Sequence, residues 1–334
     1  MLSKKIGIDL GTAFVRVYVK GEGVVVTEPD MVAVDRQGTQ VLAIGSAAGE
    51  VRGRGGEAQV VRPVRDGNVA DYRLAGAVLQ QVVSRVCGRQ RIFRPDVMVA
   101  VRPTVTGVER RAVLEATMQA GAKSAYLIET PYAAALGAGL RIADSPGLGV
   151  CDIGAARTEF AVLVRGDVVL GESWSWGGMQ LDSAIAARLR EKRDLLLDER
   201  EAERVKIAVA AADDTPAKST SIEASGQRGG REPMRLRVLA EEVRAAIASP
   251  LEELAARIRE ALARLPGEVR AQLAATGIAL TGGGALLAGL DSYLRQSAGL
   301  PVRTAANPQT CVAVGTGLAL DNLQVIRRGQ RYIA

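Results

Sequence analysis

The sequence predicts an α/β protein in which one domain plan is used twice, the two copies facing each other across a cleft. Three observations carry that prediction. A β-β-β unit, "IGIDLGTAFVRVYVKGEGVVVTE", returns in mid-chain as "GVCDIGAARTEFAVLVRGDVVLGES", with Asp9-Leu-Gly11 matched in place by Asp152-Ile-Gly154. Each unit is followed by alternating helix and strand patterns, as layered α/β domains require. A chain of 334 residues is also long enough for two cores. Two unrelated hairpins with chance Asp-x-Gly turns are the alternative that the repeat alone leaves open.

In chain order, "KIGIDLG", "FVRVYVKGEG" and "VVVTEP" read as strands joined by Gly-containing turns. A small polar segment, rich in Gly and charge ("GEVRGRGGEAQ"), follows to about Arg73. Residues 74–88 carry helical periodicity through Leu74, Val78, Leu79, Val82, Val83 and Val86. "DVMVAVRP" is a buried strand, "TGVERRAVLEATMQAGA" a helix ended by Gly121, "SAYLIETP" a strand and "PYAAALGAGL" a helix of small residues. The second unit is followed by helices at "LDSAIAARLREKRD" and "DEREAERVKIAVAAA", then a polar loop "DDTPAKSTS". "SGQRGGRE" separates two short strand-like runs of a second small insertion. Helices at 240–264 and 266–275 precede "GIALTGGGALLAGLDSYLRQSAG", a strand, a Gly turn and a helix. "CVAVGTGLALDNL" is a last helix.

The absence of histidine removes His-based triads and argues against transition-metal catalysis. Cys87, Cys151 and Cys311 are odd in number and far apart, so neither a disulfide scaffold nor a zinc site is expected. The net charge of +6 allows attraction to anionic lipid. Aromatic residues are only 3% of the chain, which argues against a base-stacking surface, and no nucleic-acid partner is expected. Met1-Leu-Ser-Lys-Lys runs straight into a strand, and no apolar run approaches the ~20 residues of a membrane span. A cytoplasmic protein is the expectation.

Three segments carry chemistry. An Asp-x-Gly-Thr turn between antiparallel strands directs N–H groups at an anion, and its aspartate can hold a hydrated Mg²⁺. Alone, "DLGT" reads equally as an ordinary hairpin. In "TGGGALL", Gly282, Gly283 and Gly284 let a base or a phosphate lie against the backbone, or simply cap a helix. Glu203 and Lys206 stand one helical turn apart on one face, as a surface ion pair would.

Together these segments resemble the actin/chaperone/sugar-kinase ATPase superfamily, and more closely the MreB family of actin-like, shape-determining proteins of bacteria. "IGIDLGTA", "VYVKGEGVVV", "RPVRDGNVADY", "AERVKI", "GIALTGGGALLAGLD" and "CVAVGTGLAL" are collinear with family segments. The resemblance implies an actin-like fold of two duplicated α/β domains facing a nucleotide cleft. The first large subdomain would be 1–31 and 74–143 with a C-terminal helix at about 310–330, and the first small one 32–73. The second large subdomain would be 144–180 and 240–309, and the second small one 181–239. ATP or ADP with Mg²⁺ would sit in the cleft. By position, Gly11, Thr12, Ala13 and Phe14 are the first phosphate turn, and Gly154, Ala155, Ala156 and Arg157 the second. Asp9 and Asp152 would serve catalysis and hold Mg²⁺ through water. Glu203 and Lys206 would contact ribose and adenine, with Gly282, Gly283 and Gly284 beside the nucleotide.

The chain departs from the family pattern at the chemistry. Ala155, Ala156 and Arg157 replace Gly, Gly and Thr, and Phe14 and Val15 replace Asn and Thr. Met179 replaces an acidic residue. Thr130 occupies the place of the glutamate that orients attacking water, and Glu129 precedes it. Alanine Cβ atoms crowd a phosphate and cost about 1–2 kcal/mol each if the turn needs positive φ. Weakened binding and slow or absent hydrolysis follow. Arg157 could pair with a phosphate or fill an empty pocket.

"GRQRIFRP" places Ile92 and Phe93 between Arg89, Arg91 and Arg94. An apolar tip flanked by arginines suits an anionic membrane surface, and the alternative is a loop that folds its Phe inward. The resemblance puts a membrane-insertion loop here. The expected protein thus forms protofilaments at the inner face of the membrane and supports cell shape and cell-wall synthesis. Its expected partners are copies of itself, other MreB-type subunits and cell-wall elongation proteins. A non-hydrolysing paralogue acting as scaffold or co-polymer is the alternative, ahead of a small-molecule kinase on the same fold.

Overall fold

The first strand, β1 (Lys5–Leu10), buries Ile6 and Ile8 completely and turns back into β2 (Phe14–Val19). In β2, Val15, Val17 and Val19 take every second position, the period of a half-buried strand. A third antiparallel strand, β3 (Gly23–Pro29), completes the unit. The protein is seen here as a computed structural model that describes residues 4–53, 58–88 and 94–323.

The segment after β3 holds more structure than its polar composition suggested. Strands β4 (Val32–Val34), β5 (Val41–Ile44) and β6 (Gln59–Val61) form a small antiparallel sheet with helix α1 (Ser46–Gly53). A hairpin of β7 (Val64–Arg65) and β8 (Asn68–Val69) follows. Strands this short offer too few residues for alternation to be read.

Helix α2 (Tyr72–Cys87) starts where the Asp71 carboxylate accepts from the Leu74 N–H, two residues before the apolar stripe begins. Strand β9 (Asp96–Val101), helix α3 (Gly107–Gln119), strand β10 (Ser124–Glu129) and helix α4 (Thr130–Gly137) complete the first half.

The second half repeats this course. β11 (Leu148–Ile153), β12 (Thr158–Val164) and β13 (Asp167–Trp174) form its antiparallel unit, followed by α5 (Gly178–Arg193). Its small sheet joins β14 (Leu195–Leu196) to the hairpin of β15 (Ser221–Arg228) and β16 (Glu232–Leu239), with α6 (Glu199–Val209) alongside. Then come α7 (Ala240–Ala263), α8 (Gly267–Thr276), β17 (Ile278–Thr281), α9 (Leu290–Ala298), β18 (Val302–Thr304) and α10 (Cys311–Asp321). The expected helix after the glycine run begins later, because Gly283–Leu286 first makes one 3₁₀ turn.

Among the described residues, two five-stranded sheets carry the duplication in full. One has the order β10-β9-β1-β2-β3 and the other β18-β17-β11-β12-β13. In both, the central strand pairs antiparallel with the next in sequence and parallel with a strand delivered later by helices. Chance hairpins would not reproduce that order.

Each half has its own apolar core, and a third cluster joins them. It gathers Met98 and Ile128 of the first sheet, Val150 and Ala161 of the second, and the faces of α4 and α10. The two helices touch backbone to backbone: a Cβ on Gly137 would overlap the Cys311 carbonyl, and one on Gly315 the Ala133 carbonyl. Their small residues are therefore a packing requirement. Among the described residues no helix is long and apolar enough to cross a membrane.

Candidate functional site

The two Asp-x-Gly turns have one geometry. Gly11 N–H donates to the Phe14 carbonyl at 3.1 Å, and Gly154 N–H to the Arg157 carbonyl at 2.8 Å. The N–H groups of Thr12, Ala13, Ala155 and Ala156 meet no acceptor among the described residues. Such paired N–H groups suit an anion. The alanines are less disruptive than expected. Among the described residues only Asp66, Arg165 and Asp194 combine a side chain with positive φ, so Ala155 and Ala156 carry no left-handed strain. Ala156 is buried, and the carbonyls of Gly154 and Ala155 accept from Gly178 and Met179 at the start of α5. Met179 thus serves this contact through its backbone.

Asp9 and Asp152 are the penultimate residues of equivalent central strands, each two residues before its turn glycine. Burial pushes the Asp9 carboxyl up to about 7, with Arg16 opposing and the charge of Asp152 adding to the rise. Burial likewise raises Asp152 to about 6, against the Thr281 hydroxyl, which donates to it at 2.8 Å, and against Arg16. Two buried carboxylates that lack full solvation suit a cation. Mg²⁺ keeps much of its water and needs only one or two carboxylates besides the phosphates. The donor set would fit nucleotide-borne Mg²⁺, and Asp9 and Asp152 are the residues that would hold it.

Two neighbours were missed by the sequence reading. Arg16 lies directly opposite Asp9 across the β1–β2 pair, at 3.9 Å, and stacks its guanidinium over Phe14 at 5.0 Å. Glu159 lies directly opposite Asp152 across β11–β12 and is buried. The Ser173 hydroxyl donates to one Glu159 oxygen at 2.8 Å, and the other has no partner among the described residues. Burial raises this carboxyl to about 7. The signal was present: both residues follow their aspartate by the same interval, which cross-strand pairing turns into one shared face.

The remaining predicted residues separate into those near the turns and those away from them. Thr130 opens α4. The preceding Glu129 pairs with Arg110 at 3.5 Å and is thereby engaged. Lys206 does not pair with Glu203. It donates to Asp182 at 2.8 Å and to the Gly178 carbonyl at 3.0 Å, beside the second turn. Glu203 is exposed and lines a surface groove with Arg200, Arg204 and Ile207. A Cβ on Gly282 would overlap the Ile153 carbonyl, and one on Gly284 the Ile153 side chain, so these two glycines serve packing against the second turn. Gly283 is exposed. Arg157 is held by Ser173, Ser175 and the Asp66 carbonyl. Arg89, Arg91, Ile92 and Phe93 lie outside the described residues, and Arg94 is exposed.

Comparison with known proteins gives a consistent result. Residues 3–328 match the MreB/Mbl protein family. The chain is 37% identical to the cell shape-determining protein Mbl of Bacillus subtilis, covering 97% of both. It is 38% identical to the cell shape-determining protein MreB of Escherichia coli, over 97% of this chain and 95% of that one. A solved structure of MreB5 of Spiroplasma citri bound to ADP superposes with a TM-score of 0.89 at 28% identity, covering 98% of this chain and 99% of the other.

Proposed function

The chain belongs to the MreB/Mbl protein family of actin-like, cell shape-determining proteins, and we propose that it assembles into filaments on the inner face of the membrane. There it supports cell shape and cell-wall synthesis. It binds ATP or ADP with Mg²⁺ between the two turns and hydrolyses ATP slowly or not at all.

The observation that carries this reading is the pair of matched turns, each offering N–H groups without protein acceptors beside a buried aspartate. The binding of ADP by the Spiroplasma relative, with the same fold, supports a nucleotide at this place. A bound Mg²⁺ supplies charge neutralisation for the phosphates. Asp9 and Asp152 would hold it, and the N–H groups of Thr12, Ala13, Ala155 and Ala156 would cradle the phosphates. Slow hydrolysis is supported at one residue: Thr130 brings no charge to polarise water, and the adjacent Glu129 is committed to Arg110. The second reading, a non-hydrolysing scaffold or co-polymer with an active relative, is favoured by the same observation.

Titration of fluorescent ADP with Mg²⁺, alongside sedimentation with anionic liposomes, tests the reading. Saturable binding and lipid-dependent pelleting are expected. A chain that binds no nucleotide and stays monomeric with lipid would refute it.

A further inference from the structure

We propose that Arg157 clasps the two halves of the molecule across the cleft, so that the closed arrangement is reached without a nucleotide. The inference rests on the actin-like filament reading and concerns what controls its conformation.

The clasp is built from both sides. On the first half, Arg65 and Asn68 pair, and Asp66-Gly67 forms the two-residue tip of the β7–β8 hairpin. Both tip residues are left-handed, with φ of 49° and 68°, the combination that Asp-Gly supplies in the tightest hairpins. The hairpin is fixed to its own half. Gly67 N–H donates to the Thr12 hydroxyl at 3.0 Å, Arg62 donates to the Thr12 carbonyl at 3.1 Å, and Val64 N–H donates to the buried Asp30 at 3.1 Å. The tip is thereby tied to the first phosphate turn.

On the second half, Arg157 closes the other phosphate turn. Its Nε and one terminal nitrogen donate to the Ser173 hydroxyl at 3.1 and 2.8 Å, and the second terminal nitrogen donates to Ser175 at 3.1 Å. Glu159 stands 3.7 Å from Nε. These contacts aim the guanidinium across the gap, where the same nitrogen that reaches Ser175 donates to the Asp66 carbonyl at 3.1 Å. The Arg157 stem lies against Gly67 so closely that a Cβ there would overlap it. Glycine is needed at the tip for the approach as well as for the turn.

In this arrangement Arg157 reaches protein acceptors on both halves. Its donors serve serines and the hairpin. A polyphosphate between two such turns closes a cleft by attracting donors from both sides, and here one guanidinium makes the same connection. A threonine at this position is too short to span from the second turn to the hairpin. Closure, and with it the assembly-competent shape, is therefore uncoupled from nucleotide state.

Hydrogen exchange of the full-length protein, stripped of nucleotide with EDTA, tests the clasp on the peptide covering residues 62–72. In the wild type the hairpin amides are expected to be protected, and Mg-ADP is expected to leave their exchange unchanged. Arg157→Thr and Arg157→Lys are each expected to speed it about tenfold or more, the factor implied by losing a charge-assisted hydrogen bond. Mg-ADP is expected to restore protection in Arg157→Thr. Unchanged exchange of β9 shows that both variants fold. Rapid hairpin exchange in the stripped wild type that slows only with Mg-ADP overturns the proposal, as does full protection in both variants. Failure of the wild type to pellet under any condition counts against the filament reading alone, because hairpin exchange judges the clasp by itself.

Discussion

Asp9, Asp152 and Glu159 share one consequence of burial: their carboxyls ionise only near pH 6–7 in the folded chain. In the unfolded chain they ionise near pH 4, so between about pH 4 and pH 7 the native state holds protons that the unfolded state has lost. Their contribution to stability is therefore greatest at low pH and falls as pH rises through 6–7. Glu28, Glu109 and Asp321 are held below their usual values by hydrogen bonds and basic partners, and they weaken the fold only under more acid conditions. Melting of nucleotide-free protein is expected to drop from about pH 5.5 to pH 8, with Asp9→Asn flattening the slope and raising the melting temperature at pH 8. A flat or rising wild-type profile would contradict this. The proposed slow hydrolysis is also tested at single residues. Restoring Glu at Thr130, with Ala155→Gly, Ala156→Gly and Arg157→Thr, is expected to raise phosphate release ~10²-fold through water positioning. The idea fails if wild type already turns over as fast as the quadruple variant. At this scale the aspartates and glycines were legible because their identity is tied to a turn. Arg16, Glu159 and the Lys206–Asp182 pair were not, since their meaning comes from partners on other strands and helices.

Elements differ in how much of their reason for existing is local. The strands of the two β-β-β units are apolar runs bounded by turn residues, alternating in β2 and buried throughout β11 and all but the last residue of β12, and the structure keeps them in place. The sheet of β4, β5 and β6 is held by pairing among very short strands, which leaves almost no local pattern. The α4–α10 contact is intermediate: its small residues were visible, but not that the two helices meet each other. Replacing Gly315 with Val forces a side chain into the Ala133 backbone, where overpacking costs about 1–3 kcal/mol. Denaturant melts of Gly315→Val are expected to lose stability of that order, and an unchanged midpoint would show that the helices part freely. The segment 88–95 is tested by function. Ile92→Ser with Phe93→Ser is expected to remove ~3–5 kcal/mol of the proposed apolar insertion and to lower liposome co-flotation sharply. High salt is expected to weaken the wild type through its arginines. Equal flotation of the double variant would make the loop structural.

For the whole molecule, duplication explains both the architecture and the site. Two sheets of one strand order place equivalent turns, each headed by an aspartate, at equivalent ends. The shared core at α4 and α10 is where the halves are joined, and the Arg157 contact with the β7–β8 hairpin is a second connection on the side of the turns. In the proposed assembly, head-to-tail contact that does not close into a ring would leave an exposed end on each copy and propagate into a filament. This MreB/Mbl chain is proposed to assemble without hydrolysis to drive it. Sedimentation and phosphate release, read on the same sample with Mg-ATP and anionic liposomes across a range of protein concentration, test it most directly. Pelleted polymer is expected above a threshold concentration while phosphate release stays far below one per assembled subunit. A strict monomer at every concentration, or phosphate release that keeps pace with assembly, would contradict it.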